Sequence, residues 1–172
     1  MKLSEFKYPV PKSAVAKFPA DPRESSRLLV LDKETGEMVD KEFKNILDFM
    51  EKGDVIVVND TRVFPARMFG KKEKTNAKIE VMLLRELKAQ ERIWDVLVEP
   101  ARKVRIGNKI YFDNNRFYCE IIDNTTSRGR TVRFSYDGDL HEVIERIGQM
   151  PLPEYIKREP NEHDKETYQC VF

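Results

Sequence analysis

Residues 59–67 read Asn-Asp-Thr-Arg-Val-Phe-Pro-Ala-Arg, so one short stretch carries an amide, a carboxylate, a hydroxyl and two guanidinium groups. Asn59, Asp60 and Thr61 have short side chains that hydrogen-bond nearby backbone and favour turns. Arg62 and Arg67 flank Val63-Phe64-Pro65, and Pro65 disfavours helix at Phe64. Such a set can pair with anions and hydrogen-bond a polar ligand, provided that something rigid presents it. The competing reading is a plain turn with two solvated arginines. Spacing alone leaves both open.

The residues before this turn supply its mount. Val55 to Val58 is a continuous apolar run rich in β-branched residues, which predicts a strand buried on both faces. Ahead of it, Phe43, Ile46, Leu47 and Met50 fall on one helical face, predicting an amphipathic helix from Phe43 to Lys52 with Gly53 as its stop. Leu28 to Leu31, the turn DKETG and Glu37 to Phe43 predict a hairpin whose first strand is buried. A helix feeding a buried strand belongs to an α/β layer. The first 26 residues contain Pro9, Pro11, Pro19 and Pro22 and read as extended, with a helical turn over Ser13 to Lys17.

After Arg62 the pattern changes. Ala66–Gly70, Lys78–Leu87, Arg92–Glu99, Lys109–Phe112, Phe117–Ile122 and Thr131–Tyr136 all read as strands, with turn-like links and no helix between them. That spacing predicts a small antiparallel barrel. Helical spacing returns at Asp139 to Ile147, capped by Asp139 and ended by Gly148; Pro151 and Pro153 then exclude helix, and Asn161 can cap another. The fold class is therefore α/β plus all-β. Residues 1–61 and 137–172 are parts of a discontinuous α/β domain, and 62–136 form an inserted basic β-barrel. The apolar ending Val171-Phe172 reads as an interruption of a longer chain, so the α/β domain is expected to be incomplete at its C-terminal side.

Net charge is +1, but its distribution is uneven. Residues 1–61 hold 10 basic and 12 acidic side chains, 62–133 hold 17 and 9, and 134–172 hold 4 and 9. The basic middle suggests a polyanion-facing region, against the alternative of solvated strand faces. The sequence has no apolar run of membrane-spanning length and its N-terminus lacks a signal-peptide core, which points to the cytoplasm. Cys119 and Cys170 show no metal spacing and are expected to be reduced thiols.

Several chemistries lack their motifs. The seven glycines are isolated, so there is no phosphate-binding P-loop and no dinucleotide fingerprint. His141 and His163 have no sequence-local partner and read as surface residues; no nucleophile elbow is present. Trp94 and the phenylalanines fit a barrel core better than a base-stacking platform. Composition and spacing alone reveal no reaction.

Three separated motifs go further. SRLLVLDKETGE, VVNDTRVFPARMFG and MPLPEYIKREPNEHDKETYQ, in this order around a barrel-like insert, resemble the S-adenosylmethionine:tRNA ribosyltransferase-isomerase family of queuosine biosynthesis. The resemblance implies S-adenosylmethionine as a ribosyl donor and co-substrate, with no metal. It implies transfer and isomerisation of the ribosyl group onto 7-aminomethyl-7-deazaguanine at the tRNA wobble position, forming epoxyqueuosine and releasing adenine and methionine. The sulfonium acidifies its adjacent carbon, so a base can form an ylide and the ring opens with loss of adenine. Such a site needs a proton acceptor, polar groups around the sulfonium and ribose, and cations for RNA.

On the matching positions, Asn59 and Asp60 are candidates for ribose or sulfonium contact, or for the base. Arg62 and Arg67 bind phosphate or else pair with Asp60 to hold the turn. Tyr155, Lys157 and Arg158 follow stiffening prolines and present side chains to RNA or substrate, or else are a solvated surface strand. Tyr168 and Gln169 reach an aromatic ring or an adenine edge. Arg27, with Ser25 and Ser26, is a weaker candidate.

Family members run about as long again beyond Gln169, and Cys170 stands where threonine is expected. Half of the site and its packing surface are therefore expected to be missing, leaving exposed apolar surface, self-association or strand exchange, and a chain that is inactive alone. Two other readings compete. One is a non-catalytic RNA-binding barrel, whose salt-sensitive tRNA binding would rest on Arg102, Lys103 and Arg105. The other is an assembly barrel with no nucleic-acid partner.

Overall fold

The structure is a computed structural model that describes residues 2–113 and 116–169. Its described residues divide into two compact units, one of residues 2–60 and 153–159, the other of 61–152 and 160–169.

In the first unit, β1 (Arg27–Leu31) and β2 (Met38–Glu42) pair antiparallel as a hairpin, with Arg27 opposite Glu42 and Leu31 opposite Met38. Asp32 closes the turn by accepting the N–H groups of Glu34 and Thr35, each at 2.8 Å. A 3-10 helix at Phe43–Phe49 follows. Shorter 3-10 turns at Leu3–Phe6, Lys12–Ala14 and Arg23–Ser25 punctuate the proline-rich start.

Three expectations change here. The predicted α-helix is a tighter 3-10 segment, consistent with a run too short to sustain α-helix without a packed face. The first hairpin strand is not buried, and Leu29 and Leu31 face outward. Val55 to Val58 join no strand and lie exposed, Val55 by 85% and Val57 by 87%. An apolar β-branched run states a need for pairing partners and does not supply them. No described residue of this unit is fully buried.

The second unit has the core. The next six strands, β3 (Arg67–Lys72), β4 (Lys78–Lys88), β5 (Ile93–Glu99), β6 (Lys109–Tyr111), β7 (Tyr118–Asn124) and β8 (Gly129–Ser135), close an antiparallel barrel in the order β3-β4-β5-β8-β7-β6. Alternation explains it: Ile79, Val81 and Leu83 of β4 point inward, as do Val96 and Val98 of β5 and Val132 and Phe134 of β8. All six expected strands are present, and Trp94 belongs to the core.

Helix α1 (Leu140–Ile147) starts where Asp139 accepts the His141 N–H at 2.6 Å, and Leu140 and Ile144 join the barrel core. Gly148 ends it. A β-carbon there would run into the carbonyl oxygens of Pro65 and Ile144, so only glycine lets the chain approach Pro65 this closely. Helix α2 (Asp164–Thr167) is a single turn, set up by reciprocal bonds between Asn161 and Asp164.

Candidate functional site

The residues around Pro65 are held from two sides. Arg67 opens β3 opposite Met82, and its backbone bridges to Gln149 in both directions at 3.2 and 2.8 Å. Its guanidinium lies 3.0 Å from the Glu80 carboxylate in an ion pair and donates to the Leu152 carbonyl at 3.3 Å. The carboxylate partner of Arg67 is thus a neighbour across the barrel strand, and its charge is committed to structure.

Gln169 is equally occupied. Its Oε1 accepts the Val63 N–H at 2.8 Å, and its Nε2 donates to the Val63 carbonyl at 3.0 Å and to the Lys165 carbonyl at 2.7 Å. A side-chain amide here replaces a strand neighbour for the residue that follows Arg62. Arg62 itself is exposed, and Tyr168 is half-buried.

In the first unit, Asn59 and Asp60 are exposed and lie in a stretch with neither helix, strand nor turn, so the expected turn over Asn59-Asp60-Thr61 does not form. Tyr155 and Lys157 are also exposed. Arg158 donates to the Lys17 carbonyl at 2.8 Å and to the Glu159 carbonyl at 3.1 Å, and its guanidinium stacks 4.2 Å over the Phe18 ring. It fastens residues 153–159 to the N-terminal stretch. The twelve candidates therefore fall into two groups: Asn59, Asp60, Tyr155, Lys157 and Arg158 in one unit, and Arg62, Arg67, Tyr168, Gln169, Arg102, Lys103 and Arg105 in the other.

Many cations of the basic segment are spent locally. Arg85 pairs with Asp95 at 3.1 Å and Lys88 with Glu91 at 2.9 Å. Lys78 sits over Phe69 at 4.3 Å, and Arg92 over Tyr136 at 4.1 Å. Arg102, Lys103 and Arg105 differ. They crown the connection from β5 to β6, a 3-10 turn at Ala101–Lys103, are exposed, and enter no ion pair among the described residues.

One residue under that turn escaped the sequence reading. Arg130 is only 7% exposed and holds the carbonyls of Ala101 and Val104 through Nη2 at 3.1 and 3.4 Å. Its Nη1 holds Gly129 and Thr126 carbonyls at 2.7 and 3.4 Å. The signal was available: Arg130 occupies the inward phase of β8 shared with Val132 and Phe134.

Elsewhere in this unit, a cavity of about 690 Å³ is lined by Asp113, Arg116, Phe117, Tyr136, Asp137, Val143 and Arg146, none of them a candidate residue. Cys119 is a free thiol inside the barrel, and burial pushes its pKa up, which makes it a packing residue. Cys170 lies outside the described residues. Among the described residues no helix is long and apolar enough to cross a membrane.

Comparison with known proteins adds what geometry alone does not. A family model described as "Queuosine biosynthesis protein" matches residues 3–172. A relative from Chloroherpeton thalassium, named S-adenosylmethionine:tRNA ribosyltransferase-isomerase, is 60% identical over 173 residues, covering all of this chain and 50% of the relative. One of the same name from Cytophaga hutchinsonii is 53% identical over 175 residues, again across the whole chain and 50% of the relative. A crystal structure titled S-adenosylmethionine tRNA ribosyltransferase, from Thermotoga maritima, is 32% identical, covers 76% of this chain and 44% of that one, and superposes with a TM-score of 0.36. The chain thus spans about half the length of the curated relatives it matches.

Proposed function

The chain belongs to the queuosine biosynthesis protein family, and from that premise we propose that it forms part of an S-adenosylmethionine-dependent tRNA ribosyltransferase-isomerase of the cytoplasm. In this reading the ribosyl group of S-adenosylmethionine moves onto 7-aminomethyl-7-deazaguanine at the wobble position and is isomerised, and adenine and methionine leave. The observation that carries it is the family match over residues 3–172, which includes all three motifs.

Asn59, Asp60 and Arg62 are the residues we assign to the ligand. They are the polar residues of the NDTR motif, and all three are exposed. A carboxylate there serves as proton acceptor at the carbon next to the sulfonium, and Arg62 faces phosphate. Tyr155, Lys157 and Tyr168 contact substrate or RNA. Arg67, Arg158 and Gln169, whose polar groups hold backbone or carboxylate, act by positioning the segments that carry the others.

The test is adenine release from S-adenosylmethionine by this chain, given tRNA bearing the aminomethyl-deazaguanine. Release that Asp60→Ala abolishes supports the assignment. No release with tRNA binding intact places the chemistry outside these residues.

A second reading is a non-catalytic RNA-binding barrel. It is favoured by one contrast: the barrel unit has its own core and a basic turn whose cations enter no ion pair among the described residues, whereas the first unit buries no described side chain. Here tRNA binding survives Asp60→Ala and weakens on charge reversal at Arg102, Lys103 and Arg105. In either reading the exposed run at Val55 to Val58 is the surface through which a second copy of the chain associates.

A further inference from the structure

We propose that Arg130 is a positioning residue for RNA docking: from inside the barrel it locks the turn that presents Arg102, Lys103 and Arg105 to the phosphate backbone. This rests on the reading of that turn as RNA-binding and extends it to a buried residue outside the contact surface.

The first support is its placement. A guanidinium on the inward phase of a barrel strand replaces an apolar side chain and loses most of its water. A buried charge is tolerated when it is paired and hydrogen-bonded. Arg130 has only the second. Its four partners are all main-chain carbonyls, those of Ala101, Val104, Thr126 and Gly129, and it enters no ion pair among the described residues. Its Nε has no hydrogen-bond partner among the described residues. The positive charge is therefore stabilised by carbonyl dipoles, with no counter-ion among the described residues.

The second support is what those carbonyls belong to. Two of them bracket the basic turn, one (Thr126) lies in the loop between β7 and β8, and one (Gly129) opens β8 at the end of that loop. Arg130 thus staples two connections at one end of the barrel. Lys72 of β3 adds another clamp, its ammonium donating to the Lys103 carbonyl at 2.7 Å. Arg105 is fixed as well, its N–H donating to Asn108 Oδ1 at 3.0 Å. With three carbonyls of the turn drawn toward cations, the side chains of Arg102, Lys103 and Arg105 face solvent from a fixed frame.

The third support is electrostatic. Two clamping cations and three presented ones share one short turn, and the nearest acidic neighbour in the chain, Glu99, is turned to Arg128 at 3.9 Å. Like charges held together repel unless an anion joins them. A polyphosphate backbone supplies that anion at several points at once, and prior fixation of the turn lowers the ordering cost of binding.

The experiment measures tRNA affinity of the 172-residue chain over a series of salt concentrations, together with amide exchange at Lys103 and Val104. Those amides donate to Pro100 and Ala101 within the turn. Arg130→Lys keeps the charge but cannot span four carbonyls. It is expected to weaken tRNA binding about tenfold, leave the slope of log K against log salt nearly unchanged, and speed exchange at both amides. Lys72→Met, made at the opposite side of the turn and outside the barrel interior, is expected to weaken binding several-fold with the same loss of protection; it carries the test if Arg130→Lys does not fold.

The triple variant Arg102→Ala, Lys103→Ala, Arg105→Ala separates the two levels of the argument. If it binds tRNA as tightly as the parent, the RNA reading of the turn falls and the role of Arg130 with it. If it binds weakly while Arg130→Lys, folded, and Lys72→Met bind like the parent, the RNA reading stands and the positioning role is overturned.

Discussion

The side-chain amide of Gln169 holds both backbone groups of Val63, accepting its N–H at 2.8 Å and donating to its carbonyl at 3.0 Å. A side-chain amide has a donor and an acceptor side by side on one flat group, and glutamine carries it one carbon further out than asparagine. Gln169→Ala takes the side-chain partner from three partly buried main-chain groups, the N–H and carbonyl of Val63 and the carbonyl of Lys165, at about 1–3 kcal/mol for a group left unsatisfied. The loss is expected to be local: residues 160–169 become sensitive to limited proteolysis while Trp94 emission, reporting the barrel core, stays native. Gln169→Glu keeps the acceptor but cannot donate when ionised, and should fall between the two.

The barrel is expected to unfold as one cooperative unit. Ile121 is wholly buried in it, and Ile121→Ala removes packed atoms that nothing replaces. The cost should be about 2–5 kcal/mol, read as a lower urea midpoint of Trp94 fluorescence with unchanged slope. A changed slope would show that the barrel does not behave as a single two-state unit.

The legible part of this fold was the part that supplies its own partners. Ile79, Val81 and Leu83 alternate with outward residues because β3 and β5 pair on either side of β4, and each strand's period agrees with its neighbours'. Val55 to Val58 carry an even stronger apolar signal, yet no strand forms, because no described segment of their unit pairs with them. Hydrophobicity reports what a segment must bury, and partners decide whether it does. Within the candidate site, the residue types at Asn59, Asp60 and Arg62 were visible. The structural use of Arg67, Arg158 and Gln169 was not, because side chain to backbone bonds across 85, 141 and 106 positions leave no pattern in the sequence.

Gly148 offers a test of close approach. Its backbone is ordinary, so strain is not the issue; a methyl group there meets the rigid carbonyls of Pro65 and Ile144. Gly148→Ala is expected to push the end of α1 from Pro65 and to destabilise the barrel unit by about 1–3 kcal/mol. Thermal unfolding followed at Trp94 measures it. An unchanged melting temperature would mean that the chain relaxes here without loss.

Asp32 gives the hairpin a pH dependence. The N–H groups of Thr35 and Glu34 hold its carboxylate below the usual range, so the folded hairpin favours the ionised form. Its contribution is complete above the unfolded value of about 3.9 and disappears as pH falls through the lower folded one. Amide shifts of Glu34 and Thr35 should therefore titrate with a midpoint below that of a free aspartate. A midpoint at or above it would show that the turn does not select the carboxylate.

Val55 and Val57 define the sharpest prediction about association. Both are more than four-fifths exposed, with Ile56 and Val58 between and beside them, and together they present an exposed β-branched run that joins no strand among the described residues. Exposed apolar runs of high β-propensity associate with another chain unless charge or proline blocks them, and this run has neither. The 172-residue chain is expected to self-associate with rising concentration in sedimentation velocity. Val57→Asp, which sets a charge in the middle of the run, should return it to monomer with Trp94 emission unchanged. Sedimentation of the parent as a monomer at every concentration would remove the second copy as the partner of this run.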